Sequence, residues 1–210
     1  MLEPWLKFTG ICSVVMAIIV FCVIFGGYSS FVRSQNRIEA SKSLLTDACQ
    51  KRLDIVPELV EIIKTSRIKT SIPSINQTAQ KAAIILKQVI AHESAVENAL
   101  IKDFELSQTQ LTFQIKQTLS QLEALVDKNS SQYVSSQQFS ALKKQVDTTQ
   151  DNLFVIQKRY NKEVAYFNLR TKVFPGFLIA KLFGFNKIHY TSISKDLFLP
   201  AQKTFAPVTS

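Results

Sequence analysis

The chain has 210 residues, 46% of them hydrophobic, which leaves room for one ordinary domain beside a membrane or targeting segment. Its five glycines and six prolines all lie outside positions 74 to 174, so a hairpin-built β fold is excluded there, and the three cysteines, two of them inside an apolar segment, exclude a disulfide framework. The net charge of +9 is concentrated late: between Lys158 and Lys203 nine basic residues face two acidic ones, a balance of +7 suited to anionic lipid or nucleic acid.

Residues 1–7 form a short N-terminal tail. Residues 8–28, FTGICSVVMAIIVFCVIFGGY, carry no charge over 21 positions, and a helix of that length spans about 30 Å, the thickness of bilayer hydrocarbon. Trp5 and Tyr28 stand at its ends, where interfacial aromatics belong. A cleaved signal peptide has a shorter apolar core and a clear small-residue cleavage site, and GGYSS offers a poor one, so an uncleaved transmembrane helix is expected. Lys7 is the one basic residue before it, whereas Arg33, Arg37 and Lys42 follow closely. That bias places the N-terminus outside and the larger domain in the cytoplasm.

Residues 29–185 read as a helical bundle. Ile38, Leu45 and Leu59, with Ala48, Ile55 and Ile62, follow steps of three and four, so a helix is expected to continue out of the membrane. Pro57 either kinks it or opens a new helix with Asp54 as N-cap, and a boundary is expected near Ser66 to Ser74. Arg52, Asp54, Glu58, Glu61 and Lys64 read as an exposed charged face, with partner docking as the other reading. A stripe from Leu86 through Val96, Phe104 and Leu111 to Val126 leaves open whether residues 74–128 form one helix or two; one alone would reach about 80 Å.

The next break is NSSQYVSS, Asn129 to Ser136. In the helix after it, Phe139, Val146, Leu153, Tyr160, Phe167 and Phe174 recur every seven residues, with Leu142 and Ile156 on a second seam that Glu163 and Arg170 continue. A seven-residue repeat marks helices packed at a shallow angle. Asn161 and Asn168 fall at the margin of that seam, where an amide can bond a neighbouring helix and fix register. The run FPGFLIAKLFGF, Phe174 to Phe185, is too short to cross a bilayer; it either caps the bundle or lies in the interface with Lys181 and Lys187 toward lipid head groups. Residues 186–210 read as a basic, partly irregular tail. The fold class expected is all-α: an N-terminal transmembrane helix followed by an antiparallel bundle of long helices.

Catalytic hardware is scarce. His92 and His189 are the only histidines, neither at metal-ligand spacing, and there is no glycine-rich phosphate loop or Gly-x-Ser-x-Gly elbow. No catalytic, cofactor-binding or metal residue is expected, and the protein is not expected to be an enzyme.

Two segments carry a resemblance. RLDIVPELVEIIK is similar to the "RRxDLIPNLVxxVK" signature of the LemA family of bacterial membrane proteins, through Arg52, Asp54, Pro57, Leu59, Val60 and Lys64. Arg159 to Phe185 resembles that family's "RxxYNxxVxxYNxxxxxFPxxxxAxxxGF" signature, through Tyr160, Asn161, Val164, Asn168, Phe174, Pro175, Ala180, Gly184 and Phe185. Lys51, Glu58 and Phe167 depart from the patterns. The resemblance implies an all-helical bundle with one span of the bacterial inner membrane, and it implies no activity. A non-enzymatic scaffold or adaptor acting through protein contacts at the membrane is therefore expected, with a lipid-associating or membrane-remodelling protein as the alternative. The expected partners are the lipid bilayer, membrane-associated proteins of unknown identity and a homo-oligomer; nucleic acid is disfavoured because no known motif accompanies the basic residues.

Overall fold

A computed structural model describes residues 4–65, 72–92, 98–127 and 136–193. Six helices follow in order: α1 (Pro4–Asp54), α2 (Val56–Thr65), α3 (Ile72–Ala91), α4 (Asn98–Asp127), α5 (Ser136–Arg170) and α6 (Gly176–Phe183). Among the described residues there is no strand. The all-α expectation holds.

The first helix changes character along its length. From Thr9 to Val23 every described side chain is exposed, on all sides of the helix. From Phe31 onward burial narrows to one stripe, Phe31, Ser34, Ile38, Ser41 and Leu45, at the three- and four-residue steps of a helix with one covered face. An apolar helix exposed all round is what a bilayer covers, and a striped one is what a bundle covers. Length and composition make the first part compatible with a single-pass anchor, although a signal sequence passes the same test.

At Pro57 the open choice resolves toward a new helix. α1 stops at Asp54, Ile55 forms a turn, and Pro57 is the second residue of α2, where its missing N–H costs little. The Leu59 N–H donates to the Ile55 carbonyl at 3.1 Å. Asp54 turns back, accepting from Gln50 Nε2 at 2.9 Å.

The described residues divide into two compact units, the first containing α1 through Leu45 with Lys158–Tyr190, the second containing those of Thr46–Gln157 and Thr191 to Ile193. In the second unit, residues 74–128 prove to be two helices. α3 and α4 pack against each other. Ser74 donates to Gln114 Oε1 at 3.0 Å, so the start of one helix lies beside the middle of the other and they run antiparallel. Lys143 pairs with Glu123, which makes α5 antiparallel to α4. Leu59, Ile63, Ile75, Leu86, Leu111 and Leu122 are fully buried in this unit. Of the expected stripe, Val96 lies outside the described residues, as do Asn129 to Ser135 of the next break.

The seam of α5 is not the strict heptad. Phe139, Leu142, Val146, Leu153, Gln157, Tyr160, Val164 and Phe167 are buried, whereas Ile156 is half-buried and Phe174 lies outside the helix. A straight helix drifts by about 20° every seven residues, so the second seam passes from the third to the fourth position after each knob. Ile156, Glu163 and Arg170 are thereby carried off it, and Gln157 and Val164 take their places. Leu153→Ala should lower stability by about 2–5 kcal/mol, whereas Val155→Ala, one step outside the arc, should stay within about 0.5 kcal/mol. Urea unfolding of the detergent-solubilised chain, followed by circular dichroism, separates the two.

Candidate functional site

In the first unit α1 and α5 run antiparallel, held by charged side chains on both. Arg37 pairs with Glu163 at 3.4 Å. Seven residues further along α5, Arg170 Nη1 donates to the Ser30 carbonyl at 3.1 Å, and its guanidinium lies 4.4 Å over the Phe31 ring. Arg170 thus holds the end of α5 to α1 through a hydrogen bond and a cation–π contact together.

Beneath that contact the rings gather. Phe31 and Phe167 are fully buried and meet edge to face with centroids 5.6 Å apart. Phe185 stacks on Phe31 at 4.9 Å and lies edge-on to Phe167 at 6.4 Å. Tyr28 lies 4.7 Å from Phe183 and 5.9 Å from Phe185.

The chain between α5 and this cluster needs glycine twice. A Cβ on Gly176 would meet the carbonyl oxygen of Arg170, a backbone atom that cannot step aside. Gly184 ends α6 in the left-handed region at φ 72°, and Phe185 N donates to the Ala180 carbonyl at 2.9 Å. α6 buries Ile179 and Ala180, and Ile179 packs against Gly27 of α1. Phe174 is 77% exposed and so is no knob of the seam; Pro175, Lys181 and Lys187 are exposed too.

Asn168 was expected to bond a neighbouring helix, and its partner is instead the chain after α6. Its Nδ2 donates to the Ile188 carbonyl at 2.7 Å and its Oδ1 accepts from Ile188 N at 2.9 Å, so one amide satisfies both backbone groups of Ile188. Tyr160 Oη donates to the His189 carbonyl at 3.4 Å. Burial, with the negative charge of Glu39 as a second cause, pushes the Tyr160 hydroxyl up to about 12 from 10.0. Asn161 is half-buried on the same helix. The start of the expected basic tail is therefore fastened to α5.

In the second unit Arg52 stands out. It was expected on an exposed charged face, and it is 2% exposed, whereas Asp54, Glu58, Glu61 and Lys64 are exposed. Nη1 donates to Thr112 Oγ1 at 2.7 Å and Gln150 Oε1 at 3.4 Å, and Nη2 donates to the Gln108 carbonyl at 3.2 Å and to the Gln108 side-chain oxygen. Every one of these acceptors is neutral. Burial accordingly lowers the Arg52 pKa, with the nearby Cys49 opposing, and raises that of the Cys49 thiol to about 11. The Cys49 shift comes first from burial and is opposed by Arg52, so the thiol is a packed apolar group rather than a nucleophile.

A family model of the LemA family matches residues 42–200, about three quarters of the chain. The chain belongs to the LemA family. The LemA match includes Arg52, Asn168, α6 and Phe185, and it begins after the apolar stretch of α1. A search of curated proteins and one of solved structures each return no match. Among the described residues no group of three or more His, Cys, Asp or Glu side chains gathers where a metal ion could be held. His92 is exposed, its Nδ1 at 2.8 Å from the Gln88 carbonyl.

Sequence reasoning missed Arg170, Phe31 and Ile188. Arg170 carried a signal, being a charge where the heptad asks for an apolar residue. Ile188 carried none, because a backbone partner has no side-chain signature.

Asn168→Asp should cost at least as much stability as Asn168→Ala, about 2 kcal/mol for the paired bonds, because a carboxylate would oppose the Ile188 carbonyl. Thermal unfolding measures it, with faster proteolysis near residue 188 as the local readout. Tyr160 has a folded pKa above its unfolded value, so its contribution is complete below pH about 10 and is lost as pH rises toward about 12. Unfolding curves across that window should flatten in Tyr160→Phe.

Proposed function

We propose that this LemA protein is a membrane-anchored, non-enzymatic scaffold or adaptor that acts through protein contacts at the bacterial inner membrane, with its N-terminus outside and its helical domain in the cytoplasm. The observation that carries the reading is the continuity of α1, which runs from the apolar stretch into the striped segment without a linker. A cleaved leader has no reason to share a helix with the domain it delivers. The charge bias around the stretch, Arg33, Arg37 and Lys42 after it against Lys7 before it, supports the orientation.

Protein contact is supported by single apolar side chains that the second unit leaves in the open, Ile84, Leu106 and Val155 among them, on helices whose other faces are covered. The lipid-associating reading is the second one, favoured by the exposed apolar residues of α6 beside Tyr28.

Two measurements test the proposal. The mature chain should keep its apolar stretch by mass spectrometry and resist alkaline extraction from membranes; a soluble chain beginning after residue 28 would overturn the anchor. A photo-crosslinking amino acid at Leu106 or Val155 in cells should give a discrete adduct that the same probe at the exposed polar position Asp151 does not. Adducts of equal yield at all three positions would count against a specific protein contact.

A further inference from the structure

We infer that α6 is a second membrane contact, lying in the head-group region of the leaflet from which α1 emerges, its outer face against lipid. This rests on the anchor reading and adds a place, a depth and a set of residues to it.

Depth comes first. Ile179 packs on Gly27, and Phe183 meets Tyr28 at 4.7 Å, so α6 sits beside the last two residues of the uncharged stretch 8–28. Whatever level the bilayer surface takes at Tyr28, α6 shares it.

The face comes next. At about 3.6 residues per turn, the buried Ile179 and Ala180 put Phe177, Leu178, Lys181 and Leu182 on the opposite side of the helix. A helix lying against water would be polar there, and this one shows three apolar residues and one lysine. Leu182 is 66% exposed, and Val173 and Phe174, just before α6, are exposed too. α6 is only about 12 Å long, too short to span and of a size to lie flat.

Charge decides the occupant. From Arg170 to Tyr190 the chain carries Arg170, Lys172, Lys181 and Lys187 and no acidic residue, the last three with exposed side chains. Lysines that ring an apolar patch can extend to phosphate groups while their stems stay in the interface. The core of a protein interface is depleted of lysine, so a second copy or another protein fits this surface less well. Phe25 and Phe21, three and seven residues before Tyr28 and so on its side of α1, are exposed apolar residues that hydrocarbon covers under the anchor reading.

The test uses the full chain in liposomes, with Trp5→Phe removing the one native tryptophan and a reporter tryptophan placed singly. Met16→Trp reports on the span, Leu182→Trp on α6 and Val155→Trp on an exposed position of the second unit. Lipids brominated either deep in the acyl chain or near the head group serve as quenchers, in phosphatidylcholine with and without phosphatidylglycerol. Met16→Trp should lose emission most to the deep bromine and Leu182→Trp to the shallow one, while Val155→Trp loses none. Lys181→Glu with Lys187→Glu should reduce the Leu182→Trp loss in the anionic vesicles. Should Leu182→Trp misfold by circular dichroism, Phe177→Trp reports from the same face.

A quenched Met16→Trp beside an unquenched α6 reporter overturns the inference and leaves the anchor standing. Blue-shifted emission from α6 without quenching overturns it in favour of a protein cover. An unquenched Met16→Trp overturns the anchor reading, and this inference with it.

Discussion

The Phe31 ring is the contact on which the first unit is assembled. Phe167 approaches it by its edge, Phe185 stacks on its face, and the Arg170 guanidinium covers it. These three partners come from α5 and from the chain beyond α6, so one side chain on α1 fixes where α5 ends and where the chain returns. Edge-to-face and offset ring pairs each add roughly 0.5–1.5 kcal/mol beyond the area they bury, and a desolvated cation over a ring adds a comparable amount. The glycines at 176 and 184 follow from this, since the turn between α5 and α6 must be tight enough to bring Phe185 back to Phe31.

Polar groups in the interior are used to hold chain rather than to do chemistry. Asn168 takes both backbone groups of Ile188, and in the second unit Gln157 Nε2 donates to the Thr191 carbonyl at 2.9 Å. A segment outside helix and sheet leaves its N–H and C=O groups to be satisfied by something else, and amide side chains supply both kinds of bond. Arg52 is the costlier case. A buried guanidinium facing only neutral oxygens forgoes the Coulombic gain of a carboxylate, so its worth lies in direction: its two amino groups reach α4 and α5 at once. An apolar residue of similar volume would fill the space and name neither neighbour.

The sequence carried the helices and the family plainly, because both are written in side-chain periodicity and in the residues of two long motifs. What it hid follows a pattern. Arg52 sits among Asp54, Glu58, Glu61 and Lys64, and a charged neighbourhood gives no sign that one member turns inward. Ile156 falls on the second seam of the seven-residue repeat, fourteen residues after Leu142, and only the drift of a straight helix moves it aside for Gln157. The division into α3 and α4 stayed an open choice in the sequence because the apolar stripe continues in phase across the break. Asn168 was legible as a bonding amide, but its partner is the backbone of a non-helical segment, and backbone looks alike at every position.

The unbroken course of α1 has a consequence for how partners are met. From Tyr28 to Leu45, within the first unit, the helix extends about 27 Å along its axis without a joint. A flexible tether of the same number of residues would let a domain sweep a volume and search for ligands in solution. A rigid rod removes that search. Under the proposed anchor, whatever engages the first unit has to arrive at a fixed height above the lipid, so encounter becomes a matter of diffusion within the plane of the membrane rather than capture from the bulk.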